Sequence, residues 1–287
     1  MLGYTPQAYH KKTKQHFIKQ VNEQLILQQV HGLRKEQPRC GSRKLLIMLQ
    51  PFFLQHNISI GRDAFFNMLA KNKMLVRKTK RSTHTTNSKH HFHRYPNLAK
   101  DFTPLKAHEL WVSDITYIPL KERFAYLFLI TDAYSRKIVG HYVSDDMKVS
   151  SAVIALKKAL AQKPIETIVI HHSDRGIQYC CTEYVTLLQQ HHALISMTQS
   201  GDPLENAIAE RVNGILKTEF ISTYYEDIEK ASLSIARAII IYNYKRRHSS
   251  LNYQIPNDVH QQKGPQIRRW KNYYQTNTKN KTAMPAT

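Results

Sequence analysis

The sequence predicts an α/β protein in which a mixed five-stranded sheet with flanking helices follows a small all-α region. In the middle of the chain, short β-prone apolar runs come first in succession and then alternate with helical patterns. The N-terminal third instead places its apolar residues at near-helical spacing. With 287 residues, the chain has room for about two domains.

The N-terminal third is predicted to form three helices. The first rests on four apolar residues at near-helical spacing, Phe17, Val21, Leu25 and Val30. A second apolar set opens after Pro38-Arg-Cys-Gly-Ser42, and a third, short helix is predicted from Arg62 to Asn72. Short helices with a compact turn and many basic residues are typical of a helix-turn-helix-like DNA reader. A small helical bundle that only packs on its neighbour is the alternative.

The stretch from Lys71 to Lys100 is predicted to be a linker. It carries nine basic residues, four histidines and no acid. No Cys-x-x-Cys lies near the histidines, so structural zinc is not expected. We predict a helical DNA-binding region over 1–76, a basic linker over 77–106, a catalytic core over 107–223, and a C-terminal helix with a basic tail over 224–287.

The central segment is predicted to begin with three strands joined by short connections as an antiparallel meander, Leu110–Ile118, Tyr126–Asp132 and Ile138–Val143. Two helix–strand pairs follow, with helices at Ser150–Gln162 and Thr182–His191 and strands at Thr167–His172 and Leu194–Met197. A further helix begins near Leu204. These elements make the mixed five-stranded sheet.

Charge is distributed unevenly along the chain. The net charge is +21, with 42 basic and 21 acidic side chains. Residues 1–106 carry 20 basic and 4 acidic side chains, residues 107–223 carry 11 and 13, and residues 224–287 carry 11 and 4. Basic flanks around a near-neutral centre indicate a polyanionic partner, with nucleic acid first.

The sequence also predicts a cytoplasmic protein without a disulfide framework. Three cysteines form no pairing pattern, and the longest apolar run is far shorter than the roughly 20 residues that span a bilayer. The N-terminus lacks the apolar region of a secretory signal. No membrane partner is expected.

Three acids are candidates for one site. Asp114 lies within the first strand, Asp174 directly follows the fourth, and Glu210 lies on the last helix of the core. Converging carboxylates need a counter-charge, which hard divalent cations with oxygen ligands supply. Two Mg²⁺ ions held there could support in-line displacement at phosphorus, and Mn²⁺ is expected to substitute.

The residues around these acids carry a family resemblance. They are Trp111-Val-Ser-Asp-Ile-Thr-Tyr117, His172-Ser-Asp-Arg-Gly-Ile-Gln-Tyr179 and Asn206-Ala-Ile-Ala-Glu-Arg-Val-Asn-Gly-Ile-Leu-Lys-Thr-Glu219. Further stretches match, Asp132-Ala-Tyr-Ser-Arg136 with Ile138-Val-Gly140, and Tyr242–Leu251 followed by Pro256. Here the chain resembles the second-frame transposases of bacterial insertion sequences, whose core is similar to retroviral integrase.

The resemblance implies an RNase H-like core with a catalytic, metal-binding triad of Asp114, Asp174 and Glu210. It also implies that Lys217, seven residues after the glutamate, holds the end of the element. Pro38-Arg-Cys-Gly-Ser-Arg43 resembles the entry to the family's helix-turn-helix-like segment. The residues predicted to contact DNA are Arg43, Arg62, Lys217, Arg246 and His248.

A DNA transposase that cuts and joins element ends is therefore expected, and it would generate a 3′-hydroxyl by hydrolysis before strand transfer. The implied partners are double-stranded DNA, as terminal inverted repeats and target, other copies of the chain, and an upstream-frame helix-turn-helix protein as fusion partner. A bacterial, nucleoid-associated location follows. Two alternatives stay open, an RNase H-type nuclease that does not join and a DNA-binding regulator without catalysis.

Overall fold

A computed structural model describes residues 5–76, 93, 95–199, 203–222 and 224–266. Its centre is a five-stranded mixed sheet in the order β3-β2-β1-β4-β5. The strands are β1 (Leu110–Pro119), β2 (Phe124–Asp132), β3 (Ile138–Ser144), β4 (Ile170–Ser173) and β5 (Leu194–Met197). The first three pair antiparallel, and β4 and β5 continue the sheet in parallel beside β1. The predicted fold class is confirmed.

Helices cover both faces of this sheet because alternate residues of a strand point to opposite sides. Phe128 and Ile130 pack under one set of helices, α5 (Val149–Leu160), α6 (Ile177–Cys180) and α7 (Thr182–Gln190). Leu127 and Leu129 pack under the other set, α8 (Ala207–Glu219) and α9 (Ile228–Tyr244). A central strand buried on both faces accounts for the nearly continuous apolar run of β2.

The N-terminal region consists of α1 (Pro6–Glu36), α2 (Ser42–Met48), α3 (Gln50–Gln55) and α4 (Arg62–Lys71), with a separate apolar cluster. Helix α1 starts with a proline in its first turn, and the Thr5 hydroxyl accepts a hydrogen bond from the Ala8 amide. The predicted helix exists, but Phe17 is 65% exposed and Val21 38%. Only Ile26 and Val30 of this helix are buried.

The boundary predicted at residue 223 runs through a continuous hydrophobic cluster. Leu216 of α8 and Ile235 of α9 belong to the same cluster as β2, so α9 is part of the core's packing. A last helix, α10 (Pro256–His260), packs through Val259 against Tyr134. Segment 77–92 of the predicted linker, with three of its histidines, lies outside the described residues, as does the tail after 266.

Within the described ranges, no helix combines the length and the apolar composition that crossing a membrane requires.

Candidate active site at the edge of the sheet

Asp114 and Asp174 lie side by side, Asp114 within the central strand β1 and Asp174 directly after the end of β4. Strands β1 and β4 run parallel, and the last pair in their ladder is Val112 with His172. Each aspartate follows its paired residue by two positions, so the ladder places the two carboxylates at the same level. The amide of Gly176 donates a 3.0 Å hydrogen bond to Asp174 Oδ1, which orients this carboxylate.

Helix α8 is attached to β1 by two asparagines, one on each side of Glu210. Asn206 Nδ2 donates to the Ser113 carbonyl at 3.0 Å, and Asn213 Nδ2 donates to Asp114 Oδ2 at 2.6 Å. Both asparagines are buried, whereas Glu210 is exposed. The predicted polar face of this helix is therefore present, and it is the face that meets the middle of β1.

The electrostatics of Asp114 reflect this placement. Burial raises its pKa to about 7, and the negative charge of Asp174 adds to the rise. Glu210 contributes less in the same direction, while the hydrogen bond from Asn213 opposes it. The pKa of Glu210 is also raised by its remaining burial. The negative charges of both other acids thus act on the pKa of Asp114.

The acidic side chains do not form a preformed metal site. Among the residues that the structure describes, no group of three or more His, Cys, Asp and Glu side chains could hold a metal ion in place. The structure brings Asp114 and Asp174 together, and the charge of Glu210 raises the pKa of Asp114 less than the charge of Asp174 does. The donor set still fits a hard divalent cation, because two adjacent carboxylates repel each other until a positive charge lies between them.

Three of the residues predicted to contact DNA are exposed. Arg43 lies on the surface of α2, and Arg62 lies at the start of α4, where its Nε donates to Asp63 Oδ1 at 2.8 Å. Lys217 is on α8, one further turn past Asn213. Partial burial lowers the pKa of Lys217, and the charge of Asp114 opposes this shift, so the lysine lies within electrostatic reach of Asp114.

The prediction that Arg246 and His248 contact DNA does not fit the structure. Arg246 is 4% exposed, and its guanidinium donates to both carboxylate oxygens of Glu219, at 2.7 and 2.8 Å. His248 is 3% exposed, and its Nδ1 lies 2.9 Å from Ser250 Oγ. Both side chains are enclosed by the protein, so neither reaches a phosphate.

Sequence reasoning grouped Asn206 and Asn213 with Glu210 but gave them no role, and it assigned nothing to Glu219. Their spacing along α8 is a usable signal, since seven residues make about two helical turns and put both asparagines on the same face. The partners of these side chains lie about a hundred residues or more away in the chain, at Ser113, Asp114 and Lys44. No local pattern identifies them.

Comparisons with known proteins agree with this arrangement. Two family models described as integrase core domain match residues 104–203 and 191–256. The chain is 31% identical to an insertion element IS600 protein of 31 kDa from Shigella sonnei, over 87% of this chain and 90% of that protein. It is 36% identical to the transposase for insertion sequence element IS904 of Lactococcus lactis, over 57% of this chain and 66% of the relative.

A solved structure shares the fold. A chain of the simian T-cell lymphotropic virus intasome superposes with a TM-score of 0.50 at 17% identity, over 84% of this chain and 78% of that one. At this level of identity, the likeness concerns the fold alone.

Proposed function

Because this chain belongs to the family of bacterial insertion-sequence transposases with an integrase-like core, we propose that Asp114, Asp174 and Glu210 are the residues with which it cuts and joins DNA. The reaction would be phosphoryl transfer, in which hydrolysis exposes a 3′-hydroxyl and this hydroxyl then attacks a second phosphodiester. One observation carries the proposal: half-buried Asp114 lies beside Asp174 and is held by Asn213 of the helix that carries Glu210.

We propose that Asp114 and Asp174 hold a divalent cation, and that Glu210 completes a site for a second one. When bound, two Mg²⁺ ions, or Mn²⁺ in their place, activate the attacking oxygen and stabilise the leaving one. Asn213 keeps one oxygen of Asp114 fixed, and the Gly176 amide does the same for Asp174. Lys217, on the same helix and within electrostatic reach of Asp114, would bind the phosphate next to the reacting bond.

The partners follow from the same assignment. Double-stranded DNA would bind as the terminal inverted repeats of the element and as the target. The exposed residues Arg43, Arg62 and Lys217 are its proposed contacts. We further propose that several copies of the chain assemble on DNA and that an upstream-frame helix-turn-helix protein is its fusion partner. In this view the helices of residues 1–76 recognise the repeats.

The substitution Asp114→Asn tests this proposal. It preserves the size of the side chain and one oxygen but removes the charge that would hold a cation, so cleavage and joining of labelled element ends in Mg²⁺ should be lost. Affinity for the ends, measured by gel shift, should stay within about two-fold, because the main phosphate contacts lie elsewhere. Asp145→Asn is the matched control, since this aspartate is 56% exposed and lies 3.9 Å from Arg123 outside the triad, and it should cut like wild type.

Product length separates the proposal from its two alternatives. Strand transfer gives labelled products longer than the input, a nuclease without joining activity gives only shorter ones, and a regulator gives none. Strand transfer retained by Asp114→Asn would contradict the assignment of the triad.

A further inference from the structure

Three charged side chains from distant parts of the chain meet where the N-terminal region touches the core. We name Lys44, Glu219 and Arg246 the junction cluster. Lys44 Nζ lies 2.7 and 2.9 Å from the two carboxylate oxygens of Glu219. Arg246 approaches the same oxygens through Nε and a terminal nitrogen, at 2.8 and 2.7 Å. One carboxylate therefore binds two cations, one from the N-terminal region and one from the C-terminal segment.

The junction cluster is buried. The side chains of Lys44, Glu219 and Arg246 are 13%, 18% and 5% exposed. Burial lowers the pKa of Lys44, and Arg246 adds to this shift, whereas Glu219 opposes it. Burial alone would raise the pKa of Glu219, but its hydrogen bonds and charge contacts with Arg246 and Lys44 outweigh burial and lower it. The carboxylate is thus ionised and shared between both cations.

Neighbouring contacts join the same two regions. Arg39 donates to the Thr218 carbonyl at 3.5 Å, and Cys40 beside it is 1% exposed. The loop that contains both residues is part of the segment that the sequence suggested as the entry to a DNA reader. In the structure, this loop contacts the C-terminal end of α8. An outer ion pair, Lys245 with Glu36, spans the same junction at 2.7 Å but is about half exposed.

The elements that meet here carry the residues of the proposed reaction. Lys44 directly follows Arg43 on α2, so the predicted DNA contact and the ion pair share one helical turn. Glu219 lies nine residues after Glu210 on α8, which is about 14 Å along a helix. Because helices are rigid over such lengths, fixing Lys44 on Glu219 also fixes Arg43 relative to the acidic site.

We propose that Lys44, Glu219 and Arg246 are positioning residues that set the register between the DNA-reading helices and the catalytic helix. A DNA end held by the N-terminal region would then reach Asp114 with one phosphodiester bond, and not its neighbours, in place. This inference rests on the proposed function and adds to it a determinant of where the DNA is cut.

The substitution Lys44→Met tests the inference with the least damage to the core, because Glu219 keeps its pair with Arg246. Lys44→Arg preserves the charge and should restore wild-type behaviour. Glu36→Gln is the matched control, since it breaks the exposed ion pair at the same junction, and exposed pairs contribute little. Thermal unfolding of each variant shows that the chain is folded at the assay temperature.

The main measurement is the position of the cut on a labelled element end, read at single-nucleotide resolution. Wild type, Glu36→Gln and Lys44→Arg should cut at one position. Lys44→Met should spread its cuts over neighbouring positions and lose rate by about ten- to a hundred-fold, because a small misplacement of reacting groups is costly. A merely structural role would reduce the amount of active enzyme without moving the cut.

Hydroxyl-radical footprinting in the Asp114→Asn background gives a second reading that needs no catalysis. Adding Lys44→Met should weaken protection at the outer tip of the terminal repeat and keep protection of the inner repeat. A single cut position and an unchanged footprint in Lys44→Met would overturn the inference, as would equal effects of Lys44→Met and Glu36→Gln. If wild type does not cut DNA, the proposed function fails, and the footprint still decides whether the junction cluster sets the register.

Discussion

Two aspartates on neighbouring strands show how local hydrogen bonds and charges set the pKa of a carboxylate. Asp132 is fully buried, and burial alone would raise its pKa, yet its interaction with His260 and its hydrogen bonds outweigh burial and lower the pKa. Its oxygens accept bonds from the Ser135 amide and hydroxyl and from the His108 amide, at 2.7 to 2.8 Å. Asp114 instead has acidic neighbours and a raised pKa. Asp132 is satisfied within the protein, whereas Asp114 is the residue that we propose to bind a cation.

A buried histidine predicts how the stability of the protein depends on pH. His171 is 1% exposed and lies 2.7 Å from Ser113 Oγ and 2.9 Å from the Tyr184 hydroxyl. Burial lowers its pKa to about 3, from 6.5 for a free side chain. The neutral ring therefore stabilises the fold fully above pH 6.5, and this contribution falls as the pH drops toward 3, at up to about 1.4 kcal/mol per pH unit.

Urea unfolding at pH 7, 6 and 5 measures this effect. His171→Gln should flatten the fall in the free energy of unfolding with decreasing pH, because glutamine keeps a hydrogen-bonding group but does not titrate. His191→Gln, which replaces an exposed histidine at the end of α7, should reproduce the wild-type profile. Identical profiles for wild type and His171→Gln would contradict the prediction.

At the scale of elements, close packing of α5 on β3 depends on one glycine. A Cβ at Gly140 would lie 2.3 Å from the Ala155 carbonyl oxygen and 3.0 Å from Ala159 Cβ. The first of these atoms belongs to the helix backbone and cannot rotate away. Helix and strand can approach this closely only because position 140 has no side chain.

Gly140→Ala should therefore destabilise the protein by about 1–3 kcal/mol, as overpacking does. The same substitution at Gly32, in the interior of α1 with open space around it, should stabilise its helix by up to about 1 kcal/mol, because alanine has the higher helix propensity. Thermal unfolding of both variants measures whether each substitution lowers or raises the stability of the protein. Equal shifts in one direction would show that steric contact at α5 is not the cause.

Helix α8 combines more roles than any local pattern indicates. Its apolar side packs on the sheet through Val212 and Ile215, while its polar side approaches β1. Its last turn carries Glu219, which binds the N-terminal region and the C-terminal segment. A single rigid element thus links core packing, the candidate active site and the junction cluster.

At the scale of the whole molecule, the uneven charge predicts strong salt dependence of DNA binding. The excess lies in the flanks, and binding releases counterions from each phosphate that a lysine or arginine neutralises. If six to ten phosphates are neutralised, affinity for an element end should fall by about 10³ to 10⁵ between 50 and 200 mM salt. Fluorescence anisotropy with labelled DNA measures this, and a flat response would contradict a phosphate-contacting role of the flanks.

Local sequence patterns predict the sheet, most of the helices and the candidate acids. Strand and helix patterns are local, since periods of 2 and 3.6 residues are visible in any short window, and they located β1 to β3 nearly to the residue. Asp114 and Asp174 were predicted to share an edge because each is tied to its strand. The polar face of α8 followed from its own spacing.

Which charged residues are exposed to solvent, and so available to DNA, depends on tertiary packing. Arg43 and Arg246 look alike in sequence, yet one is exposed and the other is enclosed with Glu219. Helix α9 packs into the core cluster across the boundary predicted at residue 223, and this contact also joins parts of the chain that are distant in sequence. Lys44 and Glu219 are 175 positions apart, and contact between them depends on how whole elements pack. Local periodicity in the sequence does not indicate contacts between residues that are so far apart in the chain.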